Sequence, residues 1–289
     1  MKKIAILLTF VAALFLISCD NETPIVPSDI SNVRAESRPG AIFLAWDRPA
    51  DLNYEQLWIR WFDHLTQSDR FWVSSVYADT VLIPNTRAKF GTYTFTLQTE
   101  SSTGTLNSNV HTITAVSLPA PITTILGTLN AVPLTAGQLS TNAQDPGEGP
   151  IANLIDGNTA TFFHSSWRGD RPPMPHWIQV DLGMEVTTNH YYRFWTRNRA
   201  NNQQVPVDFD LLGSLDGDTW FLLRNFTQAE DNLNTGAGAE WTSESFMVTQ
   251  PFRYIRYSVN TVHTGNTFFN MSGFRFYVGT VTIIDPENP

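Results

Sequence analysis

The chain has 289 residues, 42% of them apolar and 12% aromatic, with 18 basic and 27 acidic side chains. At roughly 100–200 residues per domain this leaves room for about two domains, and the apolar and aromatic content excludes a disordered acidic chain, which lacks the surface to fold. The formal net charge of −9 excludes a nucleic-acid binder that neutralises phosphate with a basic face, and a single cysteine excludes internal disulfides, thiolate zinc sites and iron–sulfur ligation.

Met1-Lys2-Lys3 precedes an apolar run from Ile4 to Ile17. The run is shorter than the ~20 residues a membrane span needs. It has the charged start, short apolar middle and small-residue end of a secretory signal. It closes on Leu16-Ile17-Ser18-Cys19, which resembles the bacterial lipobox. The resemblance implies a signal peptide over residues 1–18, cleavage before Cys19, and diacylglycerol on the Cys19 sulfur. The mature chain would then meet a membrane through its lipid anchor only. Asp20-Asn21-Glu22 resembles the export signal of surface lipoproteins in glycan-foraging Gram-negative bacteria, and implies an outer-membrane lipoprotein on the cell surface; the alternative is a solvated tether. Residues 19–28 are mostly polar and hold Pro24 and Pro27, so they read as a tether.

From there the chain shows short alternating runs and no long 3.6-period segment. In Ala41–Trp46, the residues Ile42, Leu44 and Trp46 share one face of a strand. Leu57–Phe62, Thr80–Ile83 and Gly91–Leu97 add strands, the last with Tyr93, Phe95 and Leu97 inward and threonines outward. This spacing predicts an all-β sandwich over residues 29–118. Leu44-Ala45-Trp46-Asp47-Arg48-Pro49 and Gly91–Leu97 resemble two strands of fibronectin type III modules. The resemblance implies that Trp46 fills the core and that the Tyr93 hydroxyl bonds backbone across the sandwich corner. Trp58 and Trp61 are three apart and face opposite sides of their strand. Core or interdomain packing is the preferred reading for them, with ligand stacking by an exposed one as the alternative.

Leu118-Pro119-Ala120-Pro121 breaks any sheet, so a linker is expected over 119–127 and a second domain over 128–280. Its clearest strands are Trp177–Leu182, His190–Trp195, Val207–Leu212, Tyr254–Val259 and Phe274–Val278. The tail, 281–289, ends Asp285-Pro286-Glu287-Asn288-Pro289 and is too polar and proline-rich to fold alone. Three ordered segments carry a second resemblance: Ala152–Thr161 with Phe162–Trp167, then Pro175–Gly183, then Gly213–Trp220. Together they resemble the discoidin family, or coagulation factor five/eight C-type domain, whose bacterial members include family 32 carbohydrate-binding modules. The resemblance implies an eight-stranded jelly roll with ligands held by loops at one end. Asp216-Gly217 reads as a hairpin turn, after which Trp220 anchors the next strand in the core; Asp181-Leu182-Gly183 closes another strand, and His176 reads as structural. The fold class is therefore all-β, an N-terminal immunoglobulin-like β-sandwich followed by a C-terminal discoidin-type jelly roll.

Two candidate sites follow from the resemblance. Relatives hold structural calcium on an Asp-Gly loop, and Asp156, Asn158, Thr161 and the carbonyl of Asn153 match that loop. Hard cations take about six to eight oxygen ligands, and Gly273 stands where a glutamate usually completes the set. The alternative is an Asx turn in which Asp156 bonds backbone amides. For ligand, Arg197 and Asn202 match an arginine and an asparagine five later that contact ring hydroxyls in galactose-binding relatives. His164 is the nearest candidate for their accompanying histidine, with buried packing as its alternative. Trp167 belongs to the same loop, and Phe268 or Phe269 would supply stacking, one of the two being core.

No HExxH, GxSxG or glycine-rich phosphate loop occurs, so no enzymatic activity is expected. The expected function is glycan capture, with galactose-type sugars as the implied class and a glycan transporter or glycosidase as neighbour. The alternatives are protein binding or adhesion, and an architectural role in an outer-membrane complex.

Overall fold

The computed structural model describes residues 26–169, 171–200 and 204–288. Cys19, the signal segment and most of the tether lie outside the described residues, as does Asn202. No helix among the described residues is long and apolar enough to cross a membrane. The chain divides into two compact units, one running to Thr123 and including Asp285 onward, the other Thr124–Ile284.

Among the described residues the first unit has seven strands: β1 (Ser31–Arg38), β2 (Ala41–Asp47), β3 (Gln56–Asp63), β4 (Ser68–Ser75), β5 (Thr80–Pro84), β6 (Thr92–Glu100) and β7 (His111–Val116). They form a sheet β1-β2-β5 and a sheet β4-β3-β6-β7. Alternation decides what is buried: Ile42, Leu44 and Trp46 from β2, Leu57 and Ile59 from β3, and Tyr93, Phe95 and Leu97 from β6 are each at most 2% exposed. Trp61 packs against this core. Trp58 faces the other way, 5.1 Å from Phe71 and beneath the Arg60 guanidinium, its indole N–H donating to Glu100. The Tyr93 hydroxyl accepts from the Arg87 amide at 2.9 Å and so ties the corner before β6 to the strand itself. The tether is shorter than expected, because Pro27 is already buried and the Ser28 amide donates to the Asn53 carbonyl.

The second unit holds β8 (Thr123–Leu126), β9 (Asn130–Ala131), β10 (Leu139–Thr141), β11 (Phe163–His164), β12 (His176–Val186), β13 (His190–Arg197), β14 (Pro206–Ser214) and β15 (Phe221–Thr227). It continues with a single helical turn, Gln228–Asp231, and then β16 (Glu240–Thr242), β17 (Phe246–Met247), β18 (Phe252–Val262), β19 (Asn270–Met271) and β20 (Gly273–Ile284). One sheet runs β10-β12-β18-β14-β15; the other runs β16-β13-β20-β8, with β17 on β13 and β9 on β20. Phe194 of β13 meets Phe209, Phe226 and Tyr257 of the opposite sheet at centroid distances of 5.2–6.4 Å. Rings at such spacing add about 0.5–1.5 kcal/mol per pair beyond area burial, so this cluster clamps the two sheets together.

Three expectations are corrected here. The 119–127 linker contains β8, whose Thr-Thr-Ile-Leu sequence favours a strand and which joins β20 at the sheet edge. Of the 281–289 tail, residues through Ile284 belong to β20. Beyond them the Glu287 carboxylate accepts from the amides of Ala88, Lys89 and Ala120 at 3.3, 3.0 and 2.8 Å. Hydrogen bonds to a charged acceptor order this segment where apolar burial cannot. Trp220, expected in the core, is only half-buried, and Arg256 lies 3.9 Å from its ring and 4.2 Å from that of Trp177.

Replacing Tyr93 by Phe removes the acceptor of a part-buried amide. The expected cost is about 1–2 kcal/mol, read as a lower urea midpoint for the first unit's transition at unchanged slope.

Candidate ligand-binding site

The loop end of the jelly roll is organised from a buried carboxylate outward. Asp145 is 3% exposed. Its Oδ1 accepts from the amides of Gly147 and Glu148 at 2.9 and 3.1 Å and from Nη2 of Arg168. Oδ2 faces the Trp167 amide and Nε of Arg168. The hydrogen bond from Arg168, with help from the backbone amides, holds the carboxyl down to about 2 against the opposing effect of burial. This one group folds the Asp145–Gly149 turn and presents the His164–Trp167 segment. Gly149 is needed where it stands: its φ is +62°, and a Cβ there would fall 2.5 Å from the His164 amide nitrogen.

A second hydrogen-bonded chain fixes the neighbouring loops. The Phe269 amide donates to Ser165 Oγ at 2.8 Å, and Ser165 Oγ lies 3.0 Å from His176 Nδ1. His176 Nε2 lies 2.9 Å from the Pro172 carbonyl. A carbonyl only accepts, so Nε2 carries the proton and Nδ1 accepts from the serine. Burial pushes the His176 imidazole below its ordinary range and keeps this direction of donation. His176 is thus structural. Thr264 and Asn266 of the third loop both donate to Gln204 Oε1, at 2.7 and 2.8 Å.

On this frame stands an aromatic cluster. His164, Trp167 and Phe268 have ring centroids 5.7–6.3 Å apart. Trp167 is 40% exposed, while His164 is 3% exposed. His164 Nδ1 donates to the Ser165 carbonyl at 2.7 Å, which makes Nε2 the acceptor of the neutral ring. Guanidinium groups lie over the rings: Arg168 at 5.1 Å from Trp167, Arg171 at 5.9 Å from Phe268, and Arg199 at 3.4 Å from Phe162. The Trp167 indole N–H donates to Glu148 Oε1 at 2.8 Å. Flat rings, two-pronged donors and a carboxylate are the side-chain types that grip a sugar's C–H face and its hydroxyls.

Of the expected ligand residues, His164, Trp167 and Phe268 come together. Phe269 is fully buried in the hydrophobic core, which settles which of the two phenylalanines is core. Arg197 does not join the cluster: its Nη1 donates to Glu240 Oε1 at 2.6 Å, because Arg197 and Glu240 are direct cross-strand partners on β13 and β16. Sequence reasoning missed Asp145, Glu148, Phe162 and Arg199. The Asp145-Pro146-Gly147 turn was the visible signal for the first two; nothing local marks Arg199.

At the calcium-type loop, Asp156 Oδ1 accepts from the Asn158 amide at 2.8 Å, as an Asx turn requires. The Thr161 hydroxyl lies 2.7 Å from Asp156 Oδ2 and 2.8 Å from the Asn158 carbonyl, yet has one proton to give. The Asn158 carbonyl also accepts from the Thr161 amide at 3.2 Å, so the loop's own donors satisfy it as an Asx turn, and its three clustered oxygens are of the type a hard cation takes. The Asn153 side chain is committed to the Phe162 carbonyl, so only its own carbonyl remains for that role. Gly273 adds no side-chain oxygen.

Residues 138–274 match the F5/8 type C domain, so the second unit carries a discoidin-type jelly roll. A sialidase from Micromonospora viridifaciens is 30% identical over 141 residues, which are 48% of this chain and 21% of that protein. The chain thus spans about a fifth of the length of the curated relative it matches. Among solved structures, CpGH89CBM32-5 from Clostridium perfringens in complex with GalNAc-β-1,3-galactose is similar at 16% identity and a TM-score of 0.41, covering 51% of this chain and 99% of that one. The family 32 module of C. perfringens NanJ in complex with galactose is similar at 18% and 0.39, covering 52% and 99%. A SusE-like protein is similar at 14% and 0.41, covering 87% and 97%.

The Asp145 carboxyl is lowered in the fold, so its contribution is full above the unfolded value near 3.9 and fades as pH falls toward 2. The protection factors of the Gly147 and Glu148 amides against hydrogen exchange are expected to hold at pH 5 and to fall as pH drops from about 4 toward 2. Asp145→Ala is expected to show the low protection already at neutral pH.

Proposed function

We propose that the protein is a non-catalytic glycan-binding lipoprotein of the cell surface. The observation that carries the reading is the cluster of His164, Trp167 and Phe268, ringed by Arg168, Arg171, Arg199 and Glu148, at the loop end of an F5/8 type C domain. Trp167 offers the stacking face and His164 Nε2 a hydroxyl acceptor. Asn202, which lies outside the described residues, is proposed as a further contact on the resemblance alone. Galactose-type sugars are the proposed class, on the strength of the residue-by-residue resemblance at His164 and Asn202; Arg197, the third residue of that resemblance, is held by Glu240 away from the cluster.

The rest of the chain serves capture. Acyl chains on Cys19 would hold the protein to the outer membrane, facing outward. The first unit, with its three- and four-stranded sheets and its Tyr93 corner, is proposed as a fibronectin type III-like spacer. A shallow sugar site binds weakly alone, so retention would rest on many anchored copies. A transporter or glycosidase beside it would take the captured oligosaccharide.

The test is binding to a broad glycan array, followed by titration with the best hit. Trp167→Ala is expected to weaken binding at least tenfold, about 1.4 kcal/mol. A blank array from well-folded protein would overturn the reading in favour of a protein-binding role.

The Asp156 loop is proposed to hold a structural Ca²⁺ through Asp156, Asn158, Thr161 and the Asn153 carbonyl. With one carboxylate in the set, affinity belongs to the weak range of extracellular modules, about 10⁻⁴–10⁻³ M. A melting temperature that rises in 10 mM CaCl₂ over EDTA for the native protein, and stays flat for Asp156→Ala, is the expected result.

A further inference from the structure

On the outer face of β13 and β20 lies a cavity of about 290 Å³. None of the residues lining it belongs to the His164, Trp167 and Phe268 cluster. Its polar wall is Trp195, Arg197, Glu240 and Ser272, with Asn158 of the neighbouring loop; Val132, Leu134 and Leu154 are among its apolar residues. We propose that this cavity is a second carbohydrate subsite, the size of one sugar ring. The inference rests on the glycan-binding reading and extends it to a protein with two separate sugar contacts.

The cavity owes its form to Gly273. A Cβ at that position would fall 2.7 and 2.8 Å from two ring atoms of Trp195, so any side chain would displace the indole. With glycine there, the indole lies flush against β20, and the place of a larger side chain is taken by a ring. Arg275 lies 4.7 Å from that ring. The volume is at the lower bound of small-ligand pockets, about 300 Å³, which suits a single ring rather than an extended chain.

Its chemistry is that of a neutral polyol. Glu240 accepts from Arg197 Nη1 at 2.6 Å with one oxygen and from the Trp195 indole N–H at 3.2 Å with the other. The carboxylate is therefore held in a fixed plane while half of it remains exposed. The Arg197 guanidinium and the Glu240 carboxylate stand side by side, the arrangement that two adjacent hydroxyls satisfy, one donating and one accepting, with Arg275 as a second cation in the lining. Two more polar atoms are left without partners. Ser272 is 6% exposed with its hydroxyl unbonded, and Arg197 Nε is buried and unbonded. Both atoms are enclosed behind the wall, so the groups that would meet a ligand are the exposed carboxylate of Glu240 and the partly exposed Arg197 guanidinium.

The test is isothermal titration with D-galactose, N-acetyl-D-galactosamine, D-glucose and L-fucose on four proteins: native, Trp167→Ala, Trp195→Ala and Glu240→Gln. Two binding events per chain are expected for the native protein with at least one of these sugars. Trp167→Ala should retain the event that Trp195→Ala loses, and Glu240→Gln, which keeps the shape of the wall, should weaken that same event at least tenfold. One event per chain, abolished by Trp167→Ala and untouched by Trp195→Ala and Glu240→Gln, overturns the second subsite and leaves the glycan-binding reading standing. No binding of any of these sugars to folded native protein overturns the second subsite, while the glycan array decides the broader reading separately.

Discussion

The candidate site depends on one buried carboxylate. Asp145 gathers two amides of its own turn and the Arg168 guanidinium, and it faces the amide of Trp167. A buried anion without such partners would cost several kcal/mol, whereas one so surrounded fixes everything that bonds to it. Each partner is also tied to the cluster: Arg168 lies over Trp167, and Glu148 accepts from its indole. The exposed stacking ring is held in place by charge and hydrogen bonds that lie beneath it, because an exposed side chain has little packing of its own to hold it.

Behind that loop the sandwich acts as a rigid mount. The Phe194, Phe209, Phe226 and Tyr257 rings join the sheets, with Phe209 and Tyr257 stacked at 4.2 Å. Phe269 carries this rigidity outward: its ring is in the core, while its amide and carbonyl both bond Ser165. The next residue back, Phe268, stands in the cluster. In the segment just before β19, two adjacent phenylalanines thus part company, one ring entering the core and the other joining the aromatic cluster.

The parts of the fold that alternation writes into the sequence were legible there. Thr92–Glu100 buries every second residue, Ala41–Asp47 buries Ile42, Leu44 and Trp46 most deeply, and these core residues were identified one by one. The edge strands Ser31–Arg38 and Ser68–Ser75 were not, because exposed edges carry polar or irregular sequence and owe their conformation to the neighbouring strand's hydrogen bonds. The tail escaped for a related reason: Glu287 is ordered by three amides that no local pattern announces. Trp220 was misplaced because a tryptophan at a strand's start can be covered by an arginine as well as by a core, and Arg256 does so here.

The candidate site was legible by type and order but not by geometry. His164 and Trp167 were identified on one loop and Phe268 on another, and the three meet. Arg197 was identified by its spacing from Asn202, but spacing along a strand says nothing about the strand opposite. Glu240, 43 residues away, lies directly across from it and draws the guanidinium to β16. An arginine committed to a carboxylate in this way is not thereby lost to recognition. The pair is partly exposed, has no net charge, and presents donors and an acceptor in a fixed plane, so a ligand need not pay to order either side chain. Preorganisation by a cross-strand ion pair does for this face what the buried Asp145 does for the loop end. In both places a salt bridge whose own contribution to stability is modest holds a proposed recognition surface in shape.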